Sequence, residues 1–282
     1  MTSSWIRKWL LAMLVGLELL ASTSTQAGPT AYSLAIVPQF PAVEIHRDWT
    51  PLIERLSRET GLSFSLEIAP TIPKFEDMVL AGTPDFAFMN PYHEVMAMRA
   101  HGYLPLVRDR APLSGILVVR KDSPIRSVKE LDGQSIAFPA PNAFGASLWL
   151  RALLAEREKI QFTPVYVNTH SNTYRHVAIG LEAAGGGIRQ TLTEEPEALR
   201  ETLRVLLETP GVPAHPLSAH PRVPDAVRQA VAHAFMRMAD DAQGQLMLKN
   251  VQMAAPTLAD YARDYQMLER YGLDKYVVRA KP

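Results

Sequence analysis

The chain has 282 residues, 29 basic and 29 acidic, and a formal net charge of zero. That balance does not suggest a nucleic-acid binder, which normally carries a basic excess. Cysteine is absent, which excludes thiol catalysis, cysteine metal sites and a disulfide framework.

The first segment reads as an address. Arg7 and Lys8 precede the apolar run Trp9–Leu17, which continues past Glu18 through Leu19, Leu20 and Ala21 to a small-residue end at Ala27. This order matches a secretory signal peptide over residues 1–27. The run is short for a bilayer span, which needs about 20 residues, and Glu18 interrupts it. The alternative is an uncut N-terminal anchor. No cysteine succeeds the run to carry a lipid anchor. The expectation is therefore a periplasmic protein with no stable membrane insertion after cleavage. The chain beyond residue 27 is long enough for one large domain or two smaller ones.

Short apolar runs then alternate with helical patterns. Tyr32–Val37 reads as a strand ended by Pro38. Trp49, Leu52, Ile53 and Leu56 have helical spacing up to Thr60, and Gly61 closes the helix. Phe64–Ile68 reads as a strand, Phe75–Ala81 as a helix, Asp85–Met89 as a strand and Tyr92–His101 as a helix ending at Gly102. Gly115–Arg120 is a continuous apolar strand. Val128–Gly133 is a brief helix and turn, Ser135–Phe138 a strand, Pro139–Gly145 a loop, and Ala146–Glu156 a helix. Val165–Val167 reads as a strand and Tyr174–Ala184 as a helix. Gly185, Gly186 and Gly187 lead into a strand at Ile188–Leu192, and Leu203–Leu207 is another. Beyond Pro216 the pattern turns mainly helical, at about 224–239, 242–250 and 258–271.

Repeated strand–helix alternation implies largely parallel, helix-covered sheets. The expected fold class is α/β: two lobes around a cleft, joined by two crossover strands. Residues 28–115 form the first part of lobe 1, 116–210 form lobe 2, and 211–282 return to lobe 1. The crossovers fall near Leu113–Val118 and Thr209–Pro216.

Three polar strand–helix loops are candidates for chemistry. Pro139–Gly145 opens a helix, whose start offers free N–H groups and a positive dipole end to an anion; Asn142 can cap or donate, and Gly145 allows close approach. Asn90-Pro91-Tyr92-His93-Glu94 opens a helix in the same way, beyond the end of a strand, where ligands of open α/β sheets lie. Thr169-His170-Ser171 is the third. Ordinary solvated turns are the alternative for each. The eight histidines show no HExxH pattern and read as scattered surface residues. The adjacent carboxylates Glu194-Glu195 and Asp240-Asp241 point apart and make poor acid/base pairs. No nucleophile-elbow, phosphate-loop or dinucleotide motif occurs.

Four stretches recur in an order that resembles a known group: Trp49-Thr50-Pro51-Leu52, Asp85 through Pro91, Val119 through Ile125, and Leu131-Asp132-Gly133. They look like the PhnD-type phosphate/phosphite/phosphonate-binding proteins of ABC transporters. The resemblance implies the periplasmic binding protein-like type II fold, hinge closure on a small ligand, and no enzyme activity or cofactor. It implies delivery to an ABC permease; presentation to a membrane histidine kinase or chemoreceptor is the alternative. The family's Ser-Thr-Ser-Gly loop corresponds to Asn142-Ala143-Phe144-Gly145, which has lost its hydroxyls. Its Gly-Pro-x-x-Tyr turn corresponds to Asn90–Glu94, with Glu94 in place of tyrosine. Its Ser-His-Asp loop corresponds to Thr169-His170-Ser171, and its aromatic near the second strand to Phe75. The ligand set expected is Gln39, Phe75, Asn90, Tyr92, His93, Glu94, Asn142, Ala143, Phe144, Gly145, Ala146, His170 and Ser171. A carboxylate at Glu94 and the lost hydroxyls argue against a phosphonate dianion and for a small anionic or polar ligand.

Overall fold

A computed structural model describes residues 31–278; the signal peptide expected over 1–27 lies outside them. Strand β1 (Tyr32–Ile36) leads to helix α1 (Ala42–Thr60), then β2 (Phe64–Ile68), α2 (Ile72–Leu80), β3 (Phe86–Phe88), α3 (Pro91–His101) and β4 (Leu104–Asp109). Helix α1 begins earlier than its periodicity indicates and runs through Pro51, which lies on its exposed side. It buries Ile45, Trp49, Leu52, Ile53 and Leu56 and ends on Gly61 at φ 70°, a left-handed conformation that glycine adopts without Cβ strain.

The second series comprises β5 (Gly115–Arg120), β6 (Ser135–Phe138), a π-helical turn Phe144–Leu148 running into α4 (Trp149–Glu156), β7 (Thr163–Tyr166), α5 (His170–Ala178), β8 (Ala184–Ile188), the short helices α6 (Arg189–Glu194) and α7 (Glu197–Arg200), and β9 (Leu203–Glu208). The chain returns through β10 (Pro216–Ala219), α8 (Asp225–Met238), α9 (Ala242–Asn250) and β11 (Pro256–Leu258), and finishes in short helical turns.

Two sheets result, in the orders β11-β4-β10-β3-β1-β2 and β7-β6-β8-β5-β9. Neither is purely parallel. Strands β1, β2 and β3 are parallel, but β10 and β11 pair antiparallel with their neighbours. In the second sheet β5 is antiparallel to both β8 and β9. The reason is the crossing itself. The chain enters the second sheet by β5 and leaves by β9, and each passage reverses direction against the local βα units. The two crossings run side by side: Leu113 and Val212 exchange backbone hydrogen bonds of 2.7 and 3.0 Å.

The glycine run corrects the sequence reading. Gly185, Gly186 and Gly187 are not a lead-in; they are the strand, and Arg189–Glu194 is helix instead of strand. Here β propensity is overridden by space. A Cβ on Gly186 would overlap the Ala146 carbonyl and the Phe138 ring, and one on Gly187 the Tyr174 side chain. Strands β4, β10 and β11 also escape the periodicity, the last two because Pro216 and Pro256 open them.

Strand β5 alternates between two buried clusters, with Leu117 and Val119 in one and Ile116 and Val118 in the other. The largest cluster covers the first sheet and continues across to Phe144, Leu148, Trp149 and Ile188 of the second. The apolar core is thus continuous between the two halves.

Candidate functional site

The carboxyl ends of the parallel strands meet between the sheets. After β1, Val37 donates to the Phe88 carbonyl at 3.0 Å, and the next bend carries Gln39 over the strand ends. Asn90 comes directly after β3. From the other half come the start of the Phe144 helix after β6 and His170 at the start of α5. His215 arrives from the second crossing. Together they line a narrow space, whose walls are completed by Val37, Ile72 and Ile188.

Gln39, Asn90, Ala143, Phe144, Gly145, Ala146 and His170 of the expected set line this space. The other six are placed elsewhere. Phe75 is fully buried against His93, with ring centroids 5.6 Å apart. The Tyr92 hydroxyl donates to Asp274 at 2.9 Å. His93 Nε2 lies 2.8 Å from Glu76. Ser171 faces an outer cavity beside Arg175 and Glu195. Residues 92–94 continue from Asn90 around the first helical turn, which rotates their side chains away from the strand ends.

Glu94 is the largest departure. Its side chain is fully buried, and the Ser218 hydroxyl donates to it at 2.6 Å. Burial pushes its carboxyl up to about 8, an effect the Ser218 bond only partly opposes. It is protonated at neutral pH and does not line the space, so the repulsion of a dianion expected from it does not arise.

Asn142 does not face the space either. Its side-chain amide donates to Glu76 at 2.8 Å and to the Val278 carbonyl at 2.8 Å, and accepts from the Val278 N–H at 2.9 Å. Its own carbonyl accepts from the Asn90 amide at 3.2 Å. Asn142 thus ties the second half's loop to α2, to Asn90 and to the C-terminal segment. Asn142→Ala leaves the Glu76 carboxylate and both Val278 backbone groups without these partners. Loss of the buried Glu76 partner costs about 1–3 kcal/mol and loss of the more exposed Val278 bonds less, so the ligand-free variant should melt a few degrees below the wild type. A residue whose only role is to touch ligand would leave the ligand-free melting temperature unchanged.

Helix starts on the two sides are used differently. At α3 the Asn90 side chain already accepts from the N–H groups of Tyr92 and His93. At the other wall, Phe144, Gly145 and Ala146 begin a continuous helical stretch to residue 156, and none of their N–H groups donates to an acceptor among the described residues. The first turn of a helix has no internal acceptors for such groups. Phe144 itself sits in an aromatic stack, parallel to Tyr92 at 6.3 Å and to Trp149 at 5.4 Å, so its ring joins the two halves.

Two histidines complete the polar lining. His170 Nδ1 meets the Thr191 hydroxyl at 3.0 Å. His215 Nε2 meets the Gln39 amide nitrogen at 2.7 Å, and its ring stacks on Phe88 at 5.6 Å. Burial lowers both imidazoles to about 3, so both are neutral. His93, His170 and His215 are all buried, which corrects the expectation of surface histidines. The Gln39 side-chain oxygen is buried without a partner. Among the described residues no group of three or more His, Asp or Glu is placed to hold a metal ion. His215 escapes sequence reasoning because it lies on a long crossing instead of a strand–helix loop.

Two α/β halves whose strand ends open onto one shared space, joined by two adjacent crossings, define a two-lobed binding protein of the type II periplasmic class. PhnD1 from Prochlorococcus marinus in complex with methylphosphonate superposes with a TM-score of 0.78 at 12% identity, covering 87% of this chain and 98% of that one. A binding protein component of an ABC phosphonate transporter from Pseudomonas aeruginosa gives 0.76 at 17% identity, covering 88% and 86%. Residues 34–265 match the family described as ABC transporter, phosphonate, periplasmic substrate-binding protein, and the chain belongs to that family. The phosphate-import protein PhnD of Mycolicibacterium smegmatis is 22% identical over 177 residues; the match spans 56% of this chain and about half, 55%, of that relative.

Proposed function

We propose that this protein captures a phosphonate or closely related oxyanion in the periplasm and delivers it to an ABC permease. The observation that carries this reading is the row of free N–H groups at Phe144, Gly145 and Ala146. They open a helix whose dipole favours an anion, opposite the unpartnered Gln39 oxygen and beside two neutral imidazoles. Backbone donors do not depend on side-chain identity, so loss of the family's hydroxyls leaves them in place. Residues 28–115 with 211–282 form one lobe and 116–210 the other. Ligand contacts to both lobes favour the closed arrangement. Residues 1–27 are the export signal. Family membership favours delivery to a permease over presentation to a sensor.

Titration calorimetry with methylphosphonate, phosphite and phosphate tests the reading. At least one should bind with a dissociation constant in the micromolar range or below, and scattering should show a smaller radius of gyration at saturation. Absence of heat with all three at millimolar ligand would overturn it.

A further inference from the structure

Resting on that reading, we propose that His170 and His215 set the charge the cleft accepts: ligand and site together carry a single net negative charge, and a dianion enters only together with a proton taken up by one of these imidazoles.

The starting point is what surrounds the space. Among its described lining residues none is Lys, Arg, Asp or Glu. Its walls are mainly apolar, through Val37, Ile72, Phe144 and Ile188. A helix start supplies roughly half a positive charge and three N–H donors. That suits one negative charge. A second, buried in apolar surroundings without a cation, is costly.

Among the described lining groups only the histidines can change that balance. They come from opposite lobes, and each is anchored by a neutral partner: Thr191 at 3.0 Å for His170, and Gln39 at 2.7 Å for His215. Burial disfavours the charged form of both, and His170 and His93 lower His215 further. An anion placed beside them acts in the opposite direction and raises their affinity for a proton.

Neighbouring charges do not supply the missing cation. Behind His215, a second cavity carries Asp109, Glu194 and Lys249. The outer cavity lined by Ser171, next in sequence to His170, carries Arg47 and Arg175, opposed by Glu44, Asp48, Glu194 and Glu195. The Tyr174 hydroxyl, within the His170–Thr191 network at 2.8 Å from Thr191, is held well above its ordinary range by burial. Beyond Asn90, His93 is matched by Glu76, and Glu94 is held protonated by burial.

Linkage gives the sign. If binding takes up one proton, affinity rises as pH falls, by up to tenfold per unit. The test uses methylphosphonate at about pH 6 and about pH 8, by calorimetry in two buffers of different protonation enthalpy. The wild type should bind at least tenfold more tightly at the lower pH and take up close to one proton at the higher. His215→Gln keeps a hydrogen-bonding side chain without the titration and should flatten both effects. Labelled-histidine NMR of the wild-type complex gives a readout that needs no variant: a proton-uptake complex should show an imidazolium at His170 or His215.

Equal affinity at both pH values without proton uptake would overturn this inference and leave the phosphonate reading intact. Proton uptake with both imidazoles still neutral would place the proton on the ligand and overturn the role of the histidines. No binding at either pH would overturn the proposed function and this inference with it.

Discussion

Gly186→Ala should nearly abolish folding of the second lobe. Gly186 lies in β8, the central strand of the second sheet. A Cβ there overlaps the carbonyl oxygen of Ala146 and the ring of Phe138. A side chain can rotate away, but the Ala146 carbonyl belongs to the first helical turn beyond β6, and moving it moves the N–H groups of residues 144–146. Overpacking alone typically costs about 1–3 kcal/mol, and a clash with fixed backbone should exceed the upper end. Against a typical total stability of about 5–15 kcal/mol, that is severe. The measurement is thermal melting by circular dichroism, with Gly61→Ala as control. Gly61 has nothing near its Cβ and loses only the ease of its φ of 70°, a cost of about 1 kcal/mol. A Gly186→Ala protein melting as high as the control would contradict this account of the glycine strand.

Glu94→Gln should stabilise the protein, and only at higher pH. Burial raises the folded-state carboxyl from 4.5 to about 8. Between those values the folded chain keeps a proton that the unfolded chain releases. The stability Glu94 contributes is therefore full below about pH 4.5 and is lost as pH rises to about 8. Glutamine can still accept from Ser218 and has no proton to lose. At about pH 8.5 its melting temperature should exceed the wild type's by an amount equivalent to a few kcal/mol, since each pKa unit is worth about 1.4 kcal/mol. At about pH 5 the two should nearly coincide. His170 and His215 act in the opposite sense: their folded-state values are lowered, so they cost stability as pH falls below about 6.5. The two effects together confine maximal stability to an intermediate range. A Glu94→Gln protein with no gain at the higher pH would show that the carboxyl is not held protonated.

Much of the fold is legible in the sequence because burial periodicity is local. The spacing of Trp49, Leu52, Ile53 and Leu56 depends only on which face of one helix meets the core. The glycine strand is not legible, since its reason lies in Ala146, Phe138 and Tyr174, remote in sequence. The site divides in the same way. Asn90, the 143–146 turn and His170, which line the space between the sheets, can be found because loops after the strands meet there in this class of sheet. His215 cannot, because nothing local to Ala214-His215-Pro216 reports that the chain brings it beside Gln39 at 2.7 Å. Position alone points Asn142 and Glu94 at ligand, but their side chains serve the joint between lobes and the interior behind it.

The paired crossings have a mechanical consequence. Leu113 and Val212 bond to each other in both directions, so sliding of one connecting segment past the other would break two backbone hydrogen bonds. A ribbon of two bonded strands bends readily out of its plane and resists other distortions. In the hinge closure proposed above, the lobes would move mainly by a swing about this ribbon. A ligand that shuts the cleft in this way would have less interlobe freedom to freeze. More of its contact energy is retained as affinity, because ordering the two partners is a main cost of association.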